Sequence, residues 1–309
     1  MARNVAKLYY PIRESIESIL PIVDEYIVAL GDCDPDDTTR QEIEAIGSDK
    51  IRIIDTVWDL EAFPDGMENA HQTDIAKSHC TGDWCFYLQA DEVVHERDLP
   101  RIQARCRELL DDHEVEGLLF DYLHFYGSYD HYLPFHGIYP REIRIVRNDP
   151  EIHSFQSAQS FRRIPDFDGR SYRRQEGTEK LRVATVDAHI HHYGWTRPPH
   201  LMQSKRRSLH TIHKGAERVE RMFETQPAVF DYGNMRRIPR YPGTHPAVMA
   251  DRIAAFDWGD HLRYERGYRP DRPPHKHETF KSRFLTFFEQ HLLGGRQIFG
   301  YSNWRLVRR

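Results

Sequence analysis

The chain has 309 residues, enough for one large domain or two modest ones. Its hydrophobic fraction of 39% and aromatic fraction of 12% can fill a core, which excludes wholesale disorder. The net charge of −5 is divided unevenly: residues 201–309 carry 21 Lys/Arg against 11 Asp/Glu, or +10, so residues 1–200 carry −15. That division sets a boundary near residue 200, between an acidic body (1–200) and a basic extension (201–309) with different jobs.

No apolar run approaches the length of a membrane span, and "MARNVAKLYY" lacks the apolar middle of a secretory signal. Cys33, Cys80, Cys85 and Cys106 form neither a CxxC pair nor a disulfide framework, so a cytoplasmic location is expected.

In chain order, residues 5–10 read as a first strand stopped by Pro11. Ile12, Ile16, Ile19 and Leu20 then share one helical face. "EYIVALGD" is a second strand, followed by the acidic turn at 34–38 and a helix near 40–46. A third strand spans 51–55, and a helix runs over about 68–79. The apolar run Trp84 to Leu88, bounded by Thr81-Gly82-Asp83, reads as a buried strand that ends in Gln89-Ala90-Asp91-Glu92. A helix over 98–110 follows. Alternating units of this length predict a mostly parallel α/β sheet with helices on both faces.

Strand ends in such a sheet share one edge, so Asp32 and Asp34, Asp59, and Asp91 are expected around one crevice. Hard oxygen ligands at Asp91 and Glu92 suit Mg²⁺ or Mn²⁺ with substrate phosphates. The competing reading makes Asp91 a helix cap. Neither GxGxxG nor GxxxxGK[ST] is present, so nucleotide binding would have to proceed without a glycine loop. In "HIHHYGW", His189 and His191 share one strand face and His192 points to the other. No Cys pair or HExxH accompanies them, so zinc fits poorly. Trp58, Phe120, Tyr122, Phe125, Tyr126, Tyr129 and Tyr132 are core filling or a surface on which sugar rings stack.

The stretches "YPIRESIESILPIVDEYIVALGDCDPDDTT", "KIRIIDTVWD", "HQTDIAKSHCTGDWCFYLQADEVVHE", "VEGLLFDYLHFYGSYDHY", "YPREIRIVRN" and "HIHHYGWTRPP" occur in this order over residues 1 to about 200. Together they resemble a family 2-type glycosyltransferase. The resemblance implies a GT-A fold, a nucleotide-sugar donor, a divalent ion and inverting transfer to a hydroxyl of a glycan or lipid-linked acceptor. It carries nucleotide contact onto Asp32 and Asp34, while Asp59 is a nucleotide-binding candidate by its position at the third strand's end. Gln72 and Asp74 stand where the family bears an Arg-Asn pair facing the diphosphate. The family's Asp-x-Asp metal motif reads Gln89-Ala90-Asp91, which keeps only the second acid, and His192 would complete the metal or diphosphate site. The usual Glu-Asp base is missing from "SFQSAQSF" at 154–161. That leaves Asp121, whose burial in "LLFDYLHF" would raise its pKa, and Glu142, whose arginine neighbours suggest a paired structural carboxylate.

Beyond Pro199, "LMQSKRRSLHTIHKGAERVERMFE" is a helical pattern rich in Lys/Arg, 234–277 is an extended Pro/Arg-rich stretch, and "TFKSRFLTFFEQHLLGG" is an amphipathic helix closed by Gly294-Gly295. This extension either rests on the anionic inner face of a membrane or packs back on the acidic body. No nucleic-acid module is recognised. Two rival functions are a non-catalytic nucleotide- or glycan-binding relative, and a metal-dependent phosphoesterase using Asp91, Glu92 and the histidines.

Overall fold

A computed structural model describes every residue except Arg174, Gly295, Arg296, Phe299 and Tyr301. The closing Gly295 of the last amphipathic helix therefore lies outside the described residues.

The first 110 residues largely form the patterned elements: α1 (Ile12–Ile19), β1 (Tyr26–Leu30), α2 (Thr39–Glu44), β2 (Ile51–Asp55), α3 (Met67–Ser78), β3 (Trp84–Phe86), β4 (Glu92–Val94) and α4 (Leu99–Glu108). The expected strand over 5–10 is instead a run of turns. The amides of Leu8, Tyr9 and Tyr10 donate back to the carbonyls of Asn4, Ala6 and Val5, which satisfies the backbone locally.

The sheet departs from the expectation more deeply. After α4 come six strands with no helix among them: β5 (Gly117–Tyr126), β6 (Ser128–Tyr132), β7 (Arg141–Arg147), β8 (Ile152–Phe155), β9 (Ser160–Arg163) and β10 (Glu179–Trp195). Then follow α5 (Pro199–Lys214), α6 (Ala216–Phe223), α7 (Ala250–Ala254), α8 (Phe280–Leu292) and β11 (Trp304–Leu306). Strands β1 and β2 pair alone, and the other nine form one curled mixed sheet whose main path is β3-β7-β5-β10-β9-β8. Among the described pairings three are parallel (β1–β2, β5–β10, β10–β11) and six antiparallel. This corrects the mostly parallel, GT-A-like sheet. Parallel neighbours need a long crossover between them, whereas tightly connected strands fold back antiparallel. Gly127, at φ 73°, makes such a return from β5 to β6.

Because β3 pairs with β7, it does not continue the β1–β2 sheet. A cavity of about 530 Å³ separates them, with Tyr26–Val28 on one wall and Trp84–Leu88 on another. The long β10 is the spine, pairing with β4, β5, β9 and β11. One core packs Leu118, Phe120, Ile145 and Ile190 against Ile19 of α1 and Ile102 of α4. A second surrounds Phe125 and Tyr193 with Met202, Met235, Met249 and Trp258, so residues beyond 200 complete the body's own core.

Glu92 is fully buried on β4 and is satisfied on every side. Arg144 donates to both its oxygens at 2.8 and 2.7 Å, the Tyr122 hydroxyl donates at 2.7 Å, and the Gln89 amide at 3.1 Å. Arg144 also lies against the rings of Tyr87 and Tyr122. Removing one partner strands the other charge, so Glu92→Ala is expected to cost about 3–5 kcal/mol, measured by denaturant unfolding. Glu92→Leu combined with Arg144→Met should lose clearly less than the two single variants together. Strict additivity would show that the two side chains are not coupled.

Candidate functional site

Asp91 is the turn residue immediately before β4, and it meets different surroundings from Glu92, the first residue of the strand. The Asp91 carbonyl accepts the Tyr193 amide at 2.7 Å, which pins it against β10. Its side chain is buried, with Oδ2 at 3.2 Å from Lys205 Nζ and 3.6 Å from His192 Nε2. Gly194 makes this approach possible. A Cβ there would lie 2.6 Å from the His192 ring and 2.8 Å from Asp91 Oδ2.

Lys205 comes from α5, whose start at Pro199 suits the fixed φ of proline. Its ammonium also donates to the Gly194 carbonyl at 2.6 Å. The fully buried Arg197 donates to the carbonyls of Leu8 and Gly194 and lies over the Tyr10 ring, 4.4 Å from its centroid. Its Nε is buried without a hydrogen-bond partner. Among the described residues Asp91 is the one carboxylate paired with either cation, so the buried Arg197 and the largely buried Lys205 face a single carboxylate.

The ionisation behaviour follows from that imbalance. Burial alone would push Asp91 up, but the charges of Lys205, His192 and Arg197 outweigh it and hold the carboxyl at about 2. Burial and repulsion from Arg197 press Lys205 down to about 8, against the attraction of Asp91. Burial foremost lowers His192 to about 4 and His124 to about 3, so both rings are neutral near pH 7. Their tautomers can then be assigned. The Tyr139 carbonyl accepts at 2.7 Å, so His124 Nε2 carries its proton. His124 Nδ1 is thus an acceptor for His192 Nδ1–H at 3.0 Å, leaving the His192 Nε2 lone pair facing Asp91.

Of the residues singled out in the sequence, Asp91 and His192 are brought together. Asp32, partly exposed after β1, accepts from the guanidinium of Arg3 and from the Trp58 amide at 3.1 Å. Trp58 packs on Gly31, where a Cβ would sit 2.4 Å from its indole nitrogen, and Arg3 stacks over the ring. Asp34 pairs with Lys7 at 3.1 Å. Asp59 caps the next turn by accepting the amides of Glu61 and Ala62. Gln72 is buried and donates to Glu68, while Asp74 ties α3 to β8 through His153 and the Ser154 amide. Asp121 lies on the face of β5 opposite Tyr122 and His124, half-exposed beside Arg141. Glu142 is buried, accepts from Asn303 at 3.0 Å, and is pushed up by burial. The sequence reading missed Arg197, Lys205, Gly194 and Tyr10. Only "HYGW" and the Pro-Pro helix start gave a local signal for that corner.

The donors do not fit Mg²⁺ or Mn²⁺ as they are arranged. The Gln89 side-chain amide donates to the Ala158 carbonyl, and Glu92 is saturated by Arg144. Asp91 and His192 remain, and the Lys205 ammonium already sits on the carboxylate. No group of three His, Cys, Asp or Glu among the described residues is placed to share an ion. Compared with known proteins, the chain matches no family model and no curated protein.

Asp91→Asn should cost about 3–5 kcal/mol near neutral pH, because it leaves the buried Arg197 and the largely buried Lys205 without a counter-charge. The folded pKa of about 2 lies below the ordinary 3.8. The carboxylate's contribution is therefore complete above pH 3.8 and lost as pH falls through about 2, a loss of about 2 kcal/mol. The stability gap between wild type and Asp91→Asn should narrow by that amount over this window in urea titrations. A constant gap would remove the charge pair from the account. Gly194→Ala, which forces His192 and Asp91 apart, should destabilise by about 1–3 kcal/mol in the same assay.

Proposed function

We propose that this chain transfers a sugar from a nucleotide-sugar donor to a hydroxyl acceptor. One observation carries the proposal: the fully buried Arg197 and the largely buried Lys205 have one nearby carboxylate, Asp91, which pairs with Lys205, and Arg197 keeps an unused N–H. A buried excess of positive charge is costly without a counter-ion, and an incoming diphosphate offsets it. The motif order that resembles a glycosyltransferase, and the Asp32 and Trp58 loop beyond β1, support a nucleoside as the rest of that ligand. The N-terminal turns join the two places. Arg3 bonds Asp32, while the Leu8 carbonyl and the Tyr10 ring contact Arg197.

In this reading Lys205 and Arg197 stabilise the charge that develops on the leaving diphosphate, the part otherwise given to a metal ion. His192 Nε2 accepts the proton of the acceptor hydroxyl as the new O–C1 bond forms and the C1–O–phosphate bond breaks. The arriving phosphates raise the His192 pKa from its low resting value, which improves it as a base.

Calorimetry with UDP, GDP, ADP and CDP, in EDTA and again with Mn²⁺, tests the proposal. One of the four should bind in EDTA, with affinity changed less than about threefold by Mn²⁺. Lys205→Gln should weaken it about 10- to 150-fold, the cost of one charge-assisted hydrogen bond. Asp32→Ala should weaken the same ligand by a similar factor while leaving pyrophosphate binding unchanged. Binding that requires Mn²⁺ would return the phosphate role to a metal. Binding without turnover of any nucleotide-sugar would favour a non-catalytic relative, and no nucleotide binding under either condition would overturn the proposal.

A further inference from the structure

Helix α8 is built the wrong way round for a helix packed on a protein. Its buried residues are Ser282, Thr286 and Glu289, while Phe280, Phe284, Phe287 and Leu292 are 83, 51, 58 and 67% exposed. The polar face is fully used. Ser282 Oγ donates to the His136 carbonyl, the His136 amide donates to Thr286 Oγ1, and the His136 ring bonds Glu289 at 2.7 Å. This latch on one residue fixes which side of the helix turns outward.

On the outward side, Phe280, Phe284 and Phe287 recur at spacings of four and three and so form one stripe. Lys281 and Arg283 flank the stripe, and the helix's one acid, Glu289, is buried. Beside α8 lies a cleft of about 300 Å³ lined by Arg237, Arg269 and Arg283, among others. None of these three arginines has an ion-pair partner among the described residues, whereas Arg272 in the same cleft is paired with Glu278. No described helix is long and apolar enough to cross a membrane.

We infer that α8 is the contact by which this protein lies on an anionic lipid surface, its phenylalanines entering the headgroup–acyl boundary and its cleft arginines taking lipid phosphates. Exposed aromatic side chains beside basic groups, with no exposed acid on the helix, match such a surface in both hydrophobicity and charge. A protein partner would supply the apolar contact equally well, but the unpaired arginines give the surface its sign.

Co-sedimentation of the full chain with vesicles of phosphatidylcholine alone, or mixed with phosphatidylglycerol, reads this out. The mixed vesicles should bind the protein, and added salt should weaken that binding. Phe284→Ser with Phe287→Ser should reduce it about tenfold or more with unchanged circular dichroism, since both side chains already face outward. Arg269→Gln with Arg283→Gln should abolish the preference for phosphatidylglycerol. Equal binding by the phenylalanine variant, or no binding to mixed vesicles, overturns the inference. A dimer by light scattering that the phenylalanine variant dissolves would assign the face to a second copy instead. The test does not depend on nucleotide binding, so the transferase reading can fail while this one stands.

Discussion

The structure depends on the way two neighbouring carboxylates are divided between two buried sets of cations. The turn into β4 gives Glu92 to Arg144 and leaves Asp91 to Lys205 and Arg197. The first set is balanced, with both carboxylate oxygens bonded and the guanidinium against the rings of Tyr87 and Tyr122, and it acts as a fixed joint between β4, β5 and β7. The second is unbalanced, and that difference separates scaffold from site. A buried pair gains from Coulomb attraction only when its remaining hydrogen-bonding groups are satisfied. Arg197 Nε shows that this condition is left unmet on the Asp91 side alone of the two.

Much of the local structure was legible in the sequence, and the topology was not. The apolar period of "IRESIESI", the strand "YIVAL" and the helix starting at Leu99 appear where the pattern puts them. Periodicity reports which residues are buried on one element, and these elements bury their own apolar faces. It does not report which strand lies beside which. The parallel expectation extended the rhythm of the first 110 residues across a stretch where helices stop occurring. The long run from Gly117 to Trp195 folds by hairpins instead. Residues 5–10 failed for another reason: β-branched and aromatic composition there is overridden by amides that turn back on carbonyls a few residues away.

The site was half legible. Asp91 stood out as an acid at the end of an apolar run, and His192 as a histidine whose strand neighbours face away. Their partners were invisible because the charge change near residue 200 reads as a surface property. Lys205 belongs to that basic stretch by composition, yet it turns inward to a buried carboxylate. Asp74 shows the opposite error. It sits where a phosphate-facing residue was expected, and its carboxylate is spent on holding α3 to β8.

The cavity between β1 and β3 has a mechanical consequence. A continuous hydrogen-bonded sheet resists shear because sliding one strand breaks the whole ladder of its neighbour. Here the ladder stops at the cavity, and the pair β1–β2 meets the larger sheet through side chains and through α1, whose Ser15 and Ser18 hydroxyls bond Gln89 and Val94. The loop bearing Asp32 rides on the smaller sheet, and the turn bearing Asp91 leads into β4 of the larger. The separation between them is therefore set by a packed seam, the kind of contact along which elements slide by small steps, and not by a fixed strand register.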